Sequence, residues 1–305
     1  MTAHIEGLIA APLTALGPDG SPDLDKIPAQ VAMLARDGVK GAFVCGTTGE
    51  SLSLTTGERK AIAQAWVETA PPGFAVIVHV GHNSIETSVH LAQHAEKIGA
   101  HAVGAMAPSF FKPDGIDTLV EFCARVAAGA PTKPFYYYHI PSLTGVAFPM
   151  VQFLGAAADR IPTLAGLKFT DEDLMDFERC RRLEDGRFDV LFGRDEILLC
   201  ALALGARGAV GSTYNFAAPL YLKLIAAFDE GDLAEARRLQ FLAMEAVAVM
   251  QRARCSFFAA AKAIMRLRGL DLGPVRAPLR DVSPAQHAEL ARALDRIGFL
   301  AYCGA

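Results

Sequence analysis

Long hydrophobic runs are missing from this chain. The longest apolar stretch of its 305 residues, Ile197 to Ala206, is about half the length needed to cross a bilayer, so no transmembrane span is expected. The apolar run from Gly7 to Leu16 contains Pro12 and has no preceding Lys or Arg, which argues against a secretory signal and makes the cytoplasm the expected compartment. An excess of one charge is missing too. Its 29 basic and 33 acidic residues are spread along the chain and leave a formal net charge of -4, so no basic surface for nucleic acid is expected. Cysteine is sparse. The six cysteines (Cys45, Cys123, Cys180, Cys200, Cys255, Cys303) form no CxxC and no cluster, and they are expected to be buried thiols. Neither a dinucleotide-binding glycine fingerprint nor a serine-histidine-acid motif appears.

What is present is apolar and periodic. With 52% hydrophobic residues the chain can bury a large core. The first two-thirds alternates short apolar runs, bounded by glycine or proline, with amphipathic stretches. Candidate strands are Gly7 to Ala11, Gly41 to Cys45, Ala75 to Val80, Ala102 to Ala107, Phe135 to Tyr138, Leu164 to Phe169, Asp189 to Gly193 and Ala209 to Ser212. Their spacing is that of a strand plus a crossover helix, and continuously apolar strands imply a sheet covered on both faces. The alternation points to an α/β fold, a closed (β/α)8 TIM barrel, although a doubly wound open sheet uses the same pattern. Helix starts are expected at the Thr55/Glu58 capping box, at Asn83 with Ser84, at Thr170 ahead of Asp171 and Asp173, and at Ser283 with Pro284 and Gln286. Strands stop after about Pro219 and three helical patterns follow. Residues 1–225 are therefore read as the barrel and residues 226–305 as a C-terminal helical extension. Within the latter, Leu239, Leu242, Ala243, Ala246, Val247 and Met250 share one buried face.

Polar residues at the C-terminal ends of barrel strands carry the functional weight, because the loops there build the active site. Gly46-Thr47-Thr48-Gly49-Glu50 follows the second strand, and its glycines and hydroxyls suit a carboxylate-sized anion, though a generic glycine turn reads the same way. Lys168 falls at the upper end of the sixth strand. An ammonium buried there is costly, and desolvation would make it a neutral amine nucleophile; the alternatives are a lysine snorkelling to solvent or a structural ion pair. In Tyr136-Tyr137-Tyr138 at most Tyr136 and Tyr138 share a face, and only Tyr138 is close enough to the barrel mouth to shuttle protons. Gly193-Arg194-Asp195-Glu196 and Gly211-Ser212-Thr213-Tyr214-Asn215 follow the last two strands; their acceptors suit a polyhydroxylated substrate, and the adjacent carboxylates equally suit a helix start. Glu86, His90 and His94 share a helix face, but that face belongs to an outer helix far from the loops, and no metal site is assigned to it. His79 and His82 flank the end of the third strand, either lining the pocket or satisfied within the structure.

Taken together, Gly46-Thr47-Thr48-Gly49-Glu50, Tyr138-x-x-Pro141 and Gly166-x-Lys168 resemble the family that groups dihydrodipicolinate synthases with N-acetylneuraminate lyases. The similarity covers essentially the whole chain. Tyr137 to Gly145, Gly166 to Thr170 and Gly211 to Asn215 are most similar to the lyase branch. The resemblance implies a Schiff-base lysine at Lys168, a proton shuttle at Tyr138 and a pyruvate carboxylate held by Thr47 and Thr48. Thr170, Gly193, Asp195, Glu196 and Ser212 would hold the sugar chain. It further implies a class I aldolase, a carbon-carbon lyase that reversibly cleaves N-acetylneuraminate to N-acetylmannosamine and pyruvate, acting as a homotetramer with no metal or other cofactor. Another 2-oxo sugar acid, such as a 2-keto-3-deoxy acid, is the neighbouring alternative, and a non-catalytic sugar-acid-binding barrel is an alternative of a different class. The synthases carry an arginine where this chain has Leu143 and a relay tyrosine near Phe110, and losing a guanidinium and a phenol disfavours that branch. Arg194, bulky and charged in a substrate-facing loop, leaves the choice of sugar acid open.

Overall fold

In the computed structural model, which describes residues 4–303, eight parallel strands close on themselves in sequence order. They are β1 (Gly7–Ala10), β2 (Gly41–Val44), β3 (Ala75–His79), β4 (Ala102–Met106), β5 (Phe135–His139), β6 (Leu164–Phe169), β7 (Asp189–Phe192) and β8 (Gly208–Gly211). The open-sheet alternative falls because β1 pairs with β8 along its whole length. All eight strands are buried at every residue or at all but the first, as expected when one face lines the barrel and the other meets a shell of helices.

The two faces carry separate apolar clusters. Ile9, Phe43, Ile77, Tyr136, Tyr138, Leu191 and Val210 fill the barrel interior. Their strand neighbours, among them Val44, Val78, Tyr137, Leu167 and Phe192, pack outward against the helices. Tyr137 stacks on Phe153 outside the barrel while Tyr136 and Tyr138 face in, which is the split that strand alternation requires.

The capping boxes at Thr55/Glu58 and Ser283/Gln286 both form. Two other helix starts differ from expectation. Ser84 alone caps Ile85–Lys97, while the Asn83 side chain accepts hydrogen bonds from the backbone N–H groups of Ser109 and Phe110. The cap ahead of Leu174–Arg182 is Asp173, which leaves Thr170 free to face the barrel mouth. The cysteine expectation is corrected at two positions: Cys200 is exposed and Cys255 half-buried, while the other four are buried. Cys200 belongs to the short helix Leu198–Ala203, which turns only part of its surface inward.

After β8 come helices Tyr214–Asp229, Leu233–Arg252, Phe257–Leu267 and Pro284–Arg296. Positions 225 and 226 both lie in the first of these. Pro219 also sits inside it, and a proline cannot donate to the carbonyl four residues back. That carbonyl, on Asn215, accepts a hydrogen bond from Arg268 instead, and Arg268 also pairs with Asp37 at 2.6 Å, tying the last helices to the barrel. The face Leu239, Leu242, Ala243, Ala246, Val247 and Met250 is buried throughout.

Candidate active site

A cavity of about 250 Å³ opens at the C-terminal end of the barrel. All nine residues to which the resemblance gave a role line it: Thr47 and Thr48 after β2, Tyr138 on β5, Lys168 and Thr170 at the end of β6, Gly193, Asp195 and Glu196 after β7, and Ser212 after β8. Arg194 and Thr213 join them from the same loops. Ile140, Val210, Gln251, Phe257 and Phe258 also line it and were not anticipated. The last three come from the extension, where helical periodicity gives no hint that a residue reaches across to a strand end.

Lys168 is 3% exposed and makes no ion pair among the described residues. Its Nζ lies 4.2 Å from the Phe43 ring centre and 4.0 Å from that of Tyr138. Burial pulls the amine down to about 7, with Asp195 opposing the shift. Both structural alternatives raised for this lysine are thereby removed: it neither snorkels to solvent nor pairs with a carboxylate. An amine of this kind is populated in its nucleophilic form near neutrality.

The other groups converge on it. The hydroxyls of Thr47 and Tyr138 are 3.2 Å apart, and those of Thr48 and Ser212 are 2.7 Å apart. Burial pushes the Tyr138 phenol up to about 12, with the Thr47 hydroxyl bond opposing. Asp195 is buried too. Its carboxylate accepts from the Thr213 backbone N–H at 2.8 Å and hydroxyl at 2.6 Å, and burial together with Glu196 raises it to about 6. The buried Thr170 hydroxyl faces the Tyr138 phenol and, like Thr47, opposes its rise, but it makes no close hydrogen bond among the described residues, which leaves it open to a substrate hydroxyl.

Two glycines are required by close approach. A Cβ at Gly193 would lie 2.0 Å from the Thr170 hydroxyl, and one at Gly211 would lie 2.4 Å from Asp195 Oδ1. Both would push a polar group out of place.

The two histidines do not line the cavity. Burial keeps His79 neutral, and its Nδ1 is 2.9 Å from the Cys45 carbonyl; His82 accepts from the Ser84 N–H. On the outer helix, Glu86 pairs with Arg125 and His94 contacts the Lys60 carbonyl.

Residues 4–297 match the model of the dihydrodipicolinate synthetase family. The chain belongs to that family. Within it, the chain is 43% identical over 297 residues to the N-acetylneuraminate lyase of Gallus gallus, with 96% of each chain covered. It is 41% identical over 304 residues to that of Rattus norvegicus, covering 98% of this chain and 95% of the relative. Among solved structures, the Proteus mirabilis N-acetylneuraminate lyase superposes with a TM-score of 0.94 at 41% identity, covering 98% of this chain and all of the other. Family membership and the closed barrel give the strand-end cavity its functional weight.

Proposed function

We propose that this chain is a class I aldolase that reversibly cleaves N-acetylneuraminate to N-acetylmannosamine and pyruvate. The observation that carries the proposal is the unpaired, buried Lys168 amine at the base of a cavity rimmed with hydroxyls and carboxylates. High identity to N-acetylneuraminate lyases over nearly the whole chain supports the choice of sugar acid. Leu143 and Phe110 speak against the synthase reaction, as neither can clamp a carboxylate or pass a proton.

In this reading the Lys168 amine attacks the C2 ketone of the open-chain sugar acid, water leaves, and a protonated imine forms. The carboxylate beside it sits on Thr47 and Thr48. Loss of the C4 hydroxyl proton lets the C3–C4 bond break. Its electrons flow into the imine, the aldehyde end departs as N-acetylmannosamine, and the remaining enamine is protonated at C3 and hydrolysed to pyruvate. Tyr138 exchanges the proton with the C4 oxygen; a phenol whose burial makes its anion more basic suits an alcohol as partner. Thr170, the Gly193 loop, Asp195, Glu196 and Ser212 hold the sugar hydroxyls. We further propose a homotetramer in the cytoplasm. Exposed Phe110, Phe111 and Phe241 support burial of surface in an assembly, and no helix among the described residues is long and apolar enough to cross a membrane.

A second reading keeps the chemistry and changes the sugar. It is favoured by Arg194, which lines the cavity and pairs with Glu172 at its edge. Kinetics on a panel of sugar acids decides between them. Pyruvate release from N-acetylneuraminate supports the first; none from it, with release from 2-keto-3-deoxygluconate, moves the assignment to the second. Borohydride reduction with pyruvate, followed by intact-mass measurement, tests catalysis itself, since an unmodified chain is the mark of a binding module.

A further inference from the structure

Glu50 closes the Gly46-Thr47-Thr48-Gly49-Glu50 turn, yet no step of the proposed reaction uses it. Its backbone lies in the left-handed region at φ 57, an uncommon conformation for a residue with a side chain. Cys45, just before the turn, shares that conformation at φ 56. Conformations of this kind persist only where surrounding contacts hold them.

Those contacts come from far away in sequence. The Glu50 carboxylate is wholly buried, and its Oε1 accepts from Lys262 Nζ at 3.0 Å. Its Oε2 accepts from the Arg276 backbone N–H at 2.7 Å. Lys262, itself 1% exposed, donates also to the Pro274 carbonyl at 2.5 Å. Both side-chain partners of Glu50 thus belong to the extension. Inside the turn, the Glu50 N–H bonds to the Thr47 carbonyl at 3.0 Å, so the carboxylate is coupled through one backbone bond to the threonine that meets Tyr138.

Stability alone does not account for such a pair, because desolvating two charges offsets most of what their attraction returns. Geometry and charge do. An unneutralised carboxylate at Glu50 would lie three residues from Thr47, on the loop expected to hold the substrate's own carboxylate. The helix that carries Lys262, Phe257–Leu267, also supplies Phe257 and Phe258 to the cavity wall.

We propose that Lys262 and Glu50 are a positioning pair through which the C-terminal extension sets and neutralises the threonine loop that receives the pyruvate carboxylate. This rests on the reading of Thr47 and Thr48 as the pyruvate site. The test uses the full-length protein, titrated with pyruvate under borohydride and followed by intact mass, with Lys262→Met and Glu50→Gln beside the wild type. Lys262→Met strands the carboxylate; Glu50→Gln puts an amide N–H₂ against one of two donors.

A misplacement of about 1 Å in such a site can cost about a hundredfold, so the half-saturating pyruvate concentration is expected to rise about tenfold or more in each variant. Saturating pyruvate should still trap one imine per folded chain. A purely structural role would lower the melting temperature and the folded fraction and leave half-saturation of the folded fraction unchanged. Half-saturation within twofold of wild type in the folded variants overturns the proposal; if Lys262→Met does not fold, Glu50→Gln alone decides. Absence of any trapped imine in the wild type overturns instead the reading on which it rests.

Discussion

The reactivity assigned to Lys168 makes a quantitative demand on pH. An ordinary lysine with a pKa of about 10.4 is neutral in only about one molecule in 2,500 at pH 7. With burial bringing Lys168 to about 7, about half the molecules carry the free amine at that pH. The same shift penalises folding. Between pH 7 and about 10.4 the unfolded chain binds a proton at this residue that the folded chain does not, so stability rises with pH across that window. Below it the full penalty applies. At pH 7 it amounts to ~4 kcal/mol, of which ~2 kcal/mol disappears by pH 9. Lys168→Met should therefore abolish pyruvate trapping, melt higher than the wild type at pH 7, and lose about half of that advantage by pH 9. In the wild type, the rate of imine trapping by cyanoborohydride should climb about tenfold per pH unit below 7 and level off above about 8. Calorimetry and quenched trapping with intact-mass detection read the two effects. A trapping rate still climbing through pH 9, or melting curves of wild type and variant that keep a constant separation from pH 7 to 9, would refute the claim that this amine is neutral because it is dry.

Tyr138→Phe keeps the ring beside Lys168 and removes the phenol, so turnover should fall about 10²- to 10⁴-fold while pyruvate trapping remains largely intact. Thr170→Val deletes a buried hydroxyl that makes no close hydrogen bond among the described residues, so the melting temperature should hold or rise while KM for the sugar acid increases; a clear loss of stability would contradict the absence of a strong bond there. Gly193→Ala drives a methyl against that same hydroxyl and should raise KM in a folded protein, with circular dichroism as the control. Ser283→Ala breaks the capping box of the last helix, away from the cavity, and should cost about 1 kcal/mol in a urea melt with no change in kcat.

By itself the sequence determined the architecture and most of the cavity's rim. Buried parallel strands must be apolar throughout, so eight short apolar runs betrayed eight strands to within a residue or two. Strand alternation then put Tyr136 and Tyr138 on the inner face and Tyr137 on the outer. Lys168 stood out because an ionisable group at an inward strand end needs a reason.

Tertiary structure alone decided the rest. Whether that lysine is charged depends on its burial, and the groups that bury it, Phe43 and Tyr138 among them, lie on other strands and meet it only when the barrel closes. Thr170, expected to start a helix, turned to the cavity because Asp173 does the capping. Glu50 and Lys262 are 212 positions apart, and Phe257 and Phe258 reach the cavity from beyond the last strand. Periodicity reports which face of an element is buried; it carries no record of what that face meets, because closure of the barrel and docking of the extension set those distances.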